Sequence, residues 1–149
     1  MDFKGHSVRL FSEVPIVNGQ MVEFRFLGRK GSIEQGIEFE VDRGKGKVEV
    51  PEIGKERFAH PVFWTHTAPQ RVRLICHTRR ERGAVGFWNI WRYPGTDGIE
   101  SRMGNAGMYV EKTSPDVYVL HCSNGIGEVD FEDLVVEVKI LKPESVTMG

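Results

Sequence analysis

The chain has 149 residues, and its 20 Lys plus Arg against 21 Asp plus Glu give a formal net charge of −1 at pH 7. This length predicts a single domain over 1–149 that buries a core of its own. The balanced charge argues against a nucleic-acid-binding protein, and 40% hydrophobic with 28% charged residues is the composition of a folded globular chain.

The residue types favour strands over helices. The chain contains 18 Val but only 6 Leu and 4 Ala, whereas helices favour Ala and Leu and strands favour β-branched residues. No window approaches the roughly 18 apolar residues of a membrane span, and the N-terminus lacks the apolar stretch of a secretory signal. We therefore expect an all-β protein without a membrane span, located in the cytoplasm, with a processed secreted form as the alternative.

About ten strands are predicted where apolar and polar residues alternate. They lie near 7–16, 21–28, 37–43, 47–51, 61–67, 71–79, 84–93, 106–112, 117–122 and 133–141. Because alternation gives a strand one apolar and one solvated face, we expect mostly antiparallel sheets. Turn signals about every ten residues are typical of a β-sandwich of jelly-roll or Greek-key type. Only 53–60 and 101–107 leave room for a turn or two of helix, and the tail 142–149 is predicted to be loosely ordered.

Two cysteines and four histidines are the candidates for reactive chemistry. Cys76 and Cys122 lie in apolar runs, which predicts buried thiols, although a disulfide in an oxidising compartment stays open. A zinc site would need Cys76-His77 and His121-Cys122 on adjacent strands. A small acid-base enzyme of the isomerase or cyclase type would instead combine His66 or His121 with a carboxylate in a pocket.

A short basic loop is predicted between the sixth and seventh strands. It contains Arg79, Arg80 and Arg82. Arginines in a turn can hold a phosphate or carboxylate with two parallel hydrogen bonds, whereas a solvated hairpin tip is the plainer interpretation. The loop is too small to indicate RNA binding.

The predicted strand near 84–93 concentrates aromatic residues. Alternation places Asn89, Trp91 and Tyr93 on one face. Two interpretations stay open. In the first, Trp88 and Ile90 lie in the core while Trp91 and Tyr93 pack under a loop. In the second, Asn89, Trp91 and Tyr93 bind a planar, apolar or sugar ligand, with Arg92 at its rim and Trp64 extending the surface.

Four carboxylates follow a glycine-rich turn near the C-terminus. Glu128, Asp130, Glu132 and Asp133 stand close together in sequence, and their mutual repulsion must be offset. Ca²⁺ takes six to eight oxygens and is often held by side chains at alternate residues of such a loop, so these four, with Asn124 assisting, are candidate calcium ligands. The alternative is a polar turn whose aspartates accept backbone N–H groups.

The same turn resembles the calcium-binding tail of small bacterial β-sandwich lectins specific for fucose and mannose, and of related calcium-binding sandwich modules. The matching positions are Asn124, Gly125, Glu128, Asp130, Phe131, Glu132 and Asp133, followed by the apolar strand. The chain has Glu where that pattern has Asp at 128, and Glu where it has Asn at 132. The resemblance implies calcium ions that coordinate sugar hydroxyls.

Together these patterns predict a non-enzymatic binding module for a small molecule or a carbohydrate. Ca²⁺ is the cofactor that the resemblance implies. The acid-base enzyme is one alternative, and a structural or protein-interaction domain whose sheet edges pair with a partner is another. A homo-oligomer is left open.

Overall fold

Short and long β-strands make up nearly all of the regular structure in this computed structural model, which describes residues 2–3, 5–93, 95–101 and 106–141. The strands of the described residues are β1 (Asp2–Phe3), β2 (His6–Ser7), β3 (Ser12–Val17), β4 (Gln20–Arg29), β5 (Glu34–Val41), β6 (Lys47–Glu49), β7 (Arg57–Phe58), β8 (Val62–Trp64), β9 (Arg71–His77), β10 (Arg82–Arg92), β11 (Gly107–Ser114), β12 (Val117–Ser123) and β13 (Leu134–Leu141). The 3-10 turn Asp42–Gly44 is the only helical segment in the described residues.

Eleven of the strands form two antiparallel sheets that pack as a β-sandwich, as the sequence predicts, and β1 and β2 form a separate two-stranded sheet. The small sheet has the order β3-β10-β5-β8, and the large sheet has the order β11-β12-β13-β4-β9-β6-β7. Strands that are neighbours in the small sheet are never consecutive in the sequence, because the chain crosses repeatedly between the sheets. Crossing connections of this kind are typical of Greek-key and jelly-roll sandwiches.

Alternating apolar residues of both sheets meet in one core. Phe24 of β4 and Phe39 of β5 are fully buried, and their ring centroids are 5.1 Å apart. Phe63 of β8 lies 4.9 Å from the Phe24 ring. Burying a large side chain of this kind contributes about 2–3 kcal/mol to folding. The period-2 pattern that predicts the strands therefore also identifies the residues that hold the sheets together.

Two predicted elements differ in the structure, and two others cannot be compared. The strand expected over 7–16 is split, because Arg9 forms an isolated bridge to Met108 between β2 and β3. The 53–60 segment contains β7 instead of a helical turn. Much of the second helical candidate, at 102–105, and the predicted tail at 142–149 lie outside the described residues.

Both cysteines are buried and free, which confirms the thiol interpretation. Burial raises the pKa of Cys76 to about 12 and also raises the pKa of Cys122. Cys76 lies on β9 and Cys122 on β12, and β13 and β4 stand between these strands in the large sheet. The thiols therefore do not share the adjacent strands that a Cys/His zinc site would require.

The paired strands β5 and β10 define two ends of the sandwich. Glu34 at the start of β5 pairs with Arg92 at the end of β10, whereas Val41 at the end of β5 pairs with Val85. We call the loops around 18–19, 42–46 and 78–82 the basic end. The loops around 30–33, 93–101 and 124–133 form the acidic end. At about 3.3 Å per residue, the length of β5 separates the two ends by about 23 Å.

Three of the four outer edges of the two sandwich sheets are short or interrupted. Among the described strands, the edge strands β7 and β8 have 2 and 3 residues, and Pro15 lies within the edge strand β3. Short strands and proline prevent an edge from pairing with another chain. The fourth edge strand, β11, has 8 residues, so it is the edge that best fits a partner that adds a strand.

Candidate functional site

Two of the predicted ligand-binding residues are buried. Asn89 is 4% and Trp91 is 0% exposed. The Asn89 amide donates to the backbone oxygen of Ser123 at 3.1 Å, and the Trp91 backbone exchanges two hydrogen bonds with Glu100. Because both side chains are buried, neither offers an open platform. The alternative prediction, in which these aromatic residues pack inside the protein, agrees better with this burial.

Tyr93, the third of these residues, lines a small cavity at the acidic end. The cavity has a volume of about 190 Å³ and is also lined by Glu34 and Arg92. Arg92 Nη1 is 3.0 Å from Glu34 Oε2, and its guanidinium stacks 4.5 Å above the Trp64 ring. Since Arg92 already has an acidic and an aromatic partner, its charge is balanced within the protein.

The glycine-rich turn folds on itself through side-chain oxygens. Asp130 Oδ1 accepts the backbone N–H of Glu132 at 2.9 Å, and Asn124 Oδ1 accepts that of Ile126 at 2.9 Å. Each bond spans two residues, which is the geometry of an Asx turn. Asp133 Oδ2 accepts the backbone N–H of Asn124 at 3.1 Å and closes the loop. These contacts match the polar-turn interpretation of the sequence.

A lysine from a distant part of the chain offsets the charge of this turn. Lys30 Nζ lies 3.2 Å from Asp130 Oδ2 and 3.6 Å from Glu132 Oε2. The backbone N–H of Glu132 and then the Lys30 ammonium hold the pKa of Asp130 below its ordinary value. Burial raises the pKa of Asp133, and the N–H bond from Asn124 offsets only part of that rise.

These residues do not fit a calcium cage in the arrangement described. Ca²⁺ takes six to eight oxygens, but both oxygens of Asp130 already accept hydrogen bonds, one of them from a cation. Glu128 is exposed. Within 2–3, 5–93, 95–101 and 106–141, no group of three His, Cys, Asp or Glu side chains is placed to hold a metal ion. Calcium binding through Asn124, Glu128, Asp130, Glu132 and Asp133 stays a prediction.

A buried glutamine that the sequence does not single out anchors the turn. Gln35 is 1% exposed, and its Nε2 donates to the backbone oxygens of Lys30 and Asp133, each at 2.9 Å. Its Oε1 accepts from Asn124 Nδ2 at 3.3 Å. Gln35 and Asp133 are 98 residues apart in sequence, so no local motif could reveal this contact.

The two predicted catalytic histidines each pair with one glutamate near the surface. His66 Nε2 is 3.5 Å from Glu34 Oε1, and His121 Nε2 is 3.0 Å from Glu111 Oε1. The His121 ring also stacks on Tyr109 with centroids 4.4 Å apart. In both cases the surroundings are a sheet surface or a strand end, where such pairs contribute modestly to stability.

A different histidine borders an apolar cavity. His60 lines a cavity of about 280 Å³ together with Ile53, Phe58 and Phe63. Its Nδ1 lies 3.7 Å from a Glu38 carboxylate oxygen and 3.6 Å from one of Glu40. The sequence pattern missed this residue because β5 and the chain before β8 are brought together only by the fold.

The basic end holds a pocket with charged walls. It has a volume of about 310 Å³ and is lined by Asp42, Lys45, Arg79, Arg80 and Arg82. Within the described part of the chain, the four cationic side chains have no ion-pair partner. Their exposure leaves each of them free to contact a solute.

The backbone of this pocket is fixed by one aspartate. Asp42 accepts the N–H of Arg79 at 3.1 Å and the N–H of Ala84 at 3.0 Å. A Cβ at Gly83 would collide with the Asp42 carboxylate, so this contact requires glycine there. Through these two bonds Asp42 fixes the loop, and its carboxylate offsets one of the four positive charges of the pocket.

Two adjacent residues at this pocket adopt an unusual backbone conformation. Asp42 has φ 51° and Arg43 has φ 55°, a left-handed region that costs a non-glycine residue about 1–3 kcal/mol. Such conformations cluster at binding sites, where the surrounding contacts enforce them. Here the enforcing contacts are the hydrogen bonds from the basic loop to Asp42.

Comparison with family models, curated proteins and solved structures found no match to this chain. In the described residues no helix is long and apolar enough to cross a membrane.

Proposed function

We propose that this protein is a non-enzymatic binding module whose ligand is an anion held at the basic end. The observation that carries the proposal is the pocket in which Lys45, Arg79, Arg80 and Arg82 converge without acidic partners. Elsewhere, Lys30, Arg25 and Arg92 are paired with carboxylates. Exposed cations such as Lys55 and Arg57 do not line this pocket. Unpaired charges grouped around one concave surface favour a ligand of opposite charge.

The fixed loop supports binding because little order has to be gained when the ligand arrives. Asp42 ties the loop from one side, and Asn18 Oδ1 accepts the backbone N–H of Thr78 at 3.0 Å from the other. The Thr78 hydroxyl donates to the backbone oxygen of Arg80 inside the loop. A pre-ordered site loses less conformational entropy on binding. Each hydrogen bond between an arginine and an anion contributes about 1.5–3 kcal/mol.

The test is calorimetric titration of the full chain with sodium sulfate and sodium phosphate at low ionic strength. Arg79→Glu with Arg80→Glu should weaken binding at least about tenfold. Lys55→Glu with Arg57→Glu changes the net charge equally at exposed positions outside the pocket and should leave the affinity nearly unchanged. Equal losses in both double variants, or no binding by the natural chain, would contradict the proposal.

Calcium-dependent carbohydrate binding at the acidic end is a separate hypothesis that comes from the sequence resemblance. It would require Lys30 to leave Asp130 and Glu132 so that their oxygens could turn to an ion. Titration with fucose and mannose in the presence of Ca²⁺ and of EGTA tests it. Binding only with Ca²⁺ would support it, and equal absence of binding in both would reject it.

Acid-base catalysis at His60 is the second candidate function. The observation that favours it is a histidine at an apolar cavity with two glutamates near Nδ1. A carboxylate beside one ring nitrogen of a histidine helps to orient the ring for catalysis. If this is right, His60→Gln should abolish turnover of a substrate found by screening, whereas His121→Gln should leave it unchanged. Turnover that survives in His60→Gln would reject the assignment.

A further inference from the structure

We infer that the ligand of the basic end is a compact molecule with two phosphate or sulfate groups and no aromatic ring. This inference rests on the proposed function, because it names the ligand class of the same pocket. It follows from where the cationic side chains originate, from the size of the pocket, and from the residue types that line it.

The cations come from two separate segments of the chain. Lys45 belongs to the turn that follows β5, and Arg79, Arg80 and Arg82 belong to the β9–β10 loop. The backbone N–H groups of Arg79 and Ala84 donate to the Asp42 carboxylate and hold the two segments side by side. One anionic group can accept parallel hydrogen bonds from the arginines. A second anionic group is then needed to contact Lys45.

The pocket is also larger than one small anion requires. Its volume is about 310 Å³, which is the lower bound of the roughly 300–1,000 Å³ found for pockets that hold whole organic ligands. A water molecule takes up about 30 Å³ of liquid. A single phosphate would therefore leave much of the pocket filled with solvent. It would also leave either Lys45 or some of the arginines without a direct contact.

The charges of the pocket also favour a ligand with two anionic groups. Four cationic side chains line the pocket, and the one carboxylate, Asp42, is bonded to backbone N–H groups. Glu81 lies in the same loop but is not among the lining residues, and its backbone oxygen accepts the N–H of Asn18. A ligand with one anionic group would leave several like charges facing each other. A ligand with two such groups compensates them more fully.

The residue types that line the pocket make a nucleotide an unfavourable ligand. None of the described lining residues is aromatic, and apart from the side-chain stems the walls are polar. Proteins that bind a base usually provide an aromatic face or an apolar slot for it. A base attached to the phosphates would extend into solvent here and add little affinity.

The experiment compares sodium pyrophosphate, ethanedisulfonate, inorganic phosphate and ADP by calorimetry with the full chain at matched ionic strength. We expect pyrophosphate or ethanedisulfonate to bind at least about tenfold more tightly than phosphate, and ADP to bind no better than pyrophosphate. Whichever of pyrophosphate and ethanedisulfonate binds more tightly identifies a phosphate or a sulfate source.

Lys45→Ala provides the matched variant, because this exposed side chain can be shortened without removing a contact of the core. It should reduce the preference for pyrophosphate over phosphate while phosphate binding through the arginines persists. Equal affinities for phosphate and pyrophosphate would overturn this inference and leave the proposed function intact. Tighter binding of ADP would overturn it as well. Failure of every anion to bind would overturn the proposed function itself.

Discussion

The two ends of the sandwich carry opposite charge and differ in how that charge is satisfied. At the acidic end, Lys30 lies between Asp130 and Glu132, and the remaining oxygens of Asp130 and Asp133 accept backbone N–H groups. At the basic end, the four cations of the pocket have no acidic partner in the described residues. Charge that is satisfied within the protein contributes to folding, whereas charge left unpaired around a pocket is available to a ligand.

The comparison also shows why the near-zero net charge is misleading. The formal charge of −1 suggests a surface without strong fields. The fold places the basic loop and the acidic turn at opposite ends of β5, about 23 Å apart. At physiological salt the Debye length is about 8 Å, so the two ends do not neutralise each other.

The largest expected effect is at the anchor of the acidic end. Gln35→Leu should lower the free energy of unfolding by about 2–3 kcal/mol, because it leaves the Lys30 backbone oxygen and the Asn124 amide without this partner and removes one of the two hydrogen bonds to the Asp133 backbone oxygen. Urea unfolding measures this loss. Gln70→Leu, at an exposed position, is the control and should change stability little. Anion binding at the opposite end should be unaffected in both variants. A loss of anion binding in Gln35→Leu would show that the two ends do not act independently.

A smaller loss of stability, with a loss of binding, is expected at the basic end. Asp42→Ala removes the acceptor of two backbone N–H groups and should cost about 1–2 kcal/mol. The loosened loop should also bind sulfate more weakly. Chemical denaturation and calorimetry measure the two effects. Asp97→Ala, an exposed control, should show neither. Unchanged sulfate affinity in Asp42→Ala would show that the loop does not need to be pre-ordered.

The acid dependence of stability should distinguish the two neighbouring aspartates. The pKa of Asp130 is lowered in the folded protein, so its stabilisation is present above the unfolded pKa and is lost as the pH falls through the folded value. The pKa of Asp133 is raised, so protonation of this group favours the folded state as the pH falls toward about 4. The two effects oppose each other, and their size is limited by solvent screening at these exposed positions.

Melting curves between pH 6 and pH 3 measure this dependence. Asp130→Asn should lose less stability below about pH 4 than the natural chain does. Glu128→Gln, which alters an exposed carboxylate, is the control and should follow the natural chain. A steeper acid loss in Asp130→Asn would show that Lys30 does not hold Asp130 ionised.

The smallest expected effect concerns calcium. With Lys30 offsetting Asp130 and Glu132, millimolar Ca²⁺ or EGTA should leave the Tm of the natural chain unchanged. In Lys30→Met the carboxylates lose their cation, and added Ca²⁺ should then raise the Tm. A Tm that falls with EGTA in the natural chain would instead support the calcium site implied by the sequence resemblance.

The sandwich could be predicted from the sequence because its cause is local. Alternation at positions such as Val22 and Phe24 gives each strand an apolar face, and two such faces must pack together. The same alternation places Asn89 and Trp91 on one face, but it does not show that neighbouring strands and the Glu100 segment cover them.

The sites were less predictable because their contacts join distant parts of the chain. Lys30 and Asp130 are 100 residues apart, and Asp42 and Arg79 are 37 residues apart. The arginines of the basic loop are evident in the sequence as a cluster. Their pocket is not evident in the sequence, because Asp42 and Lys45 come close to the arginines only through the pairing of β5 with β10.

Nuclear magnetic resonance of the backbone amides during titration with pyrophosphate tests the central claim most directly. If the basic end binds anions and the acidic end is satisfied internally, saturable shifts should appear at 42–46 and 78–84, while the amides at 123–133 stay in place. Shifts concentrated at 123–133, or no saturable shift anywhere in the chain, would contradict the account.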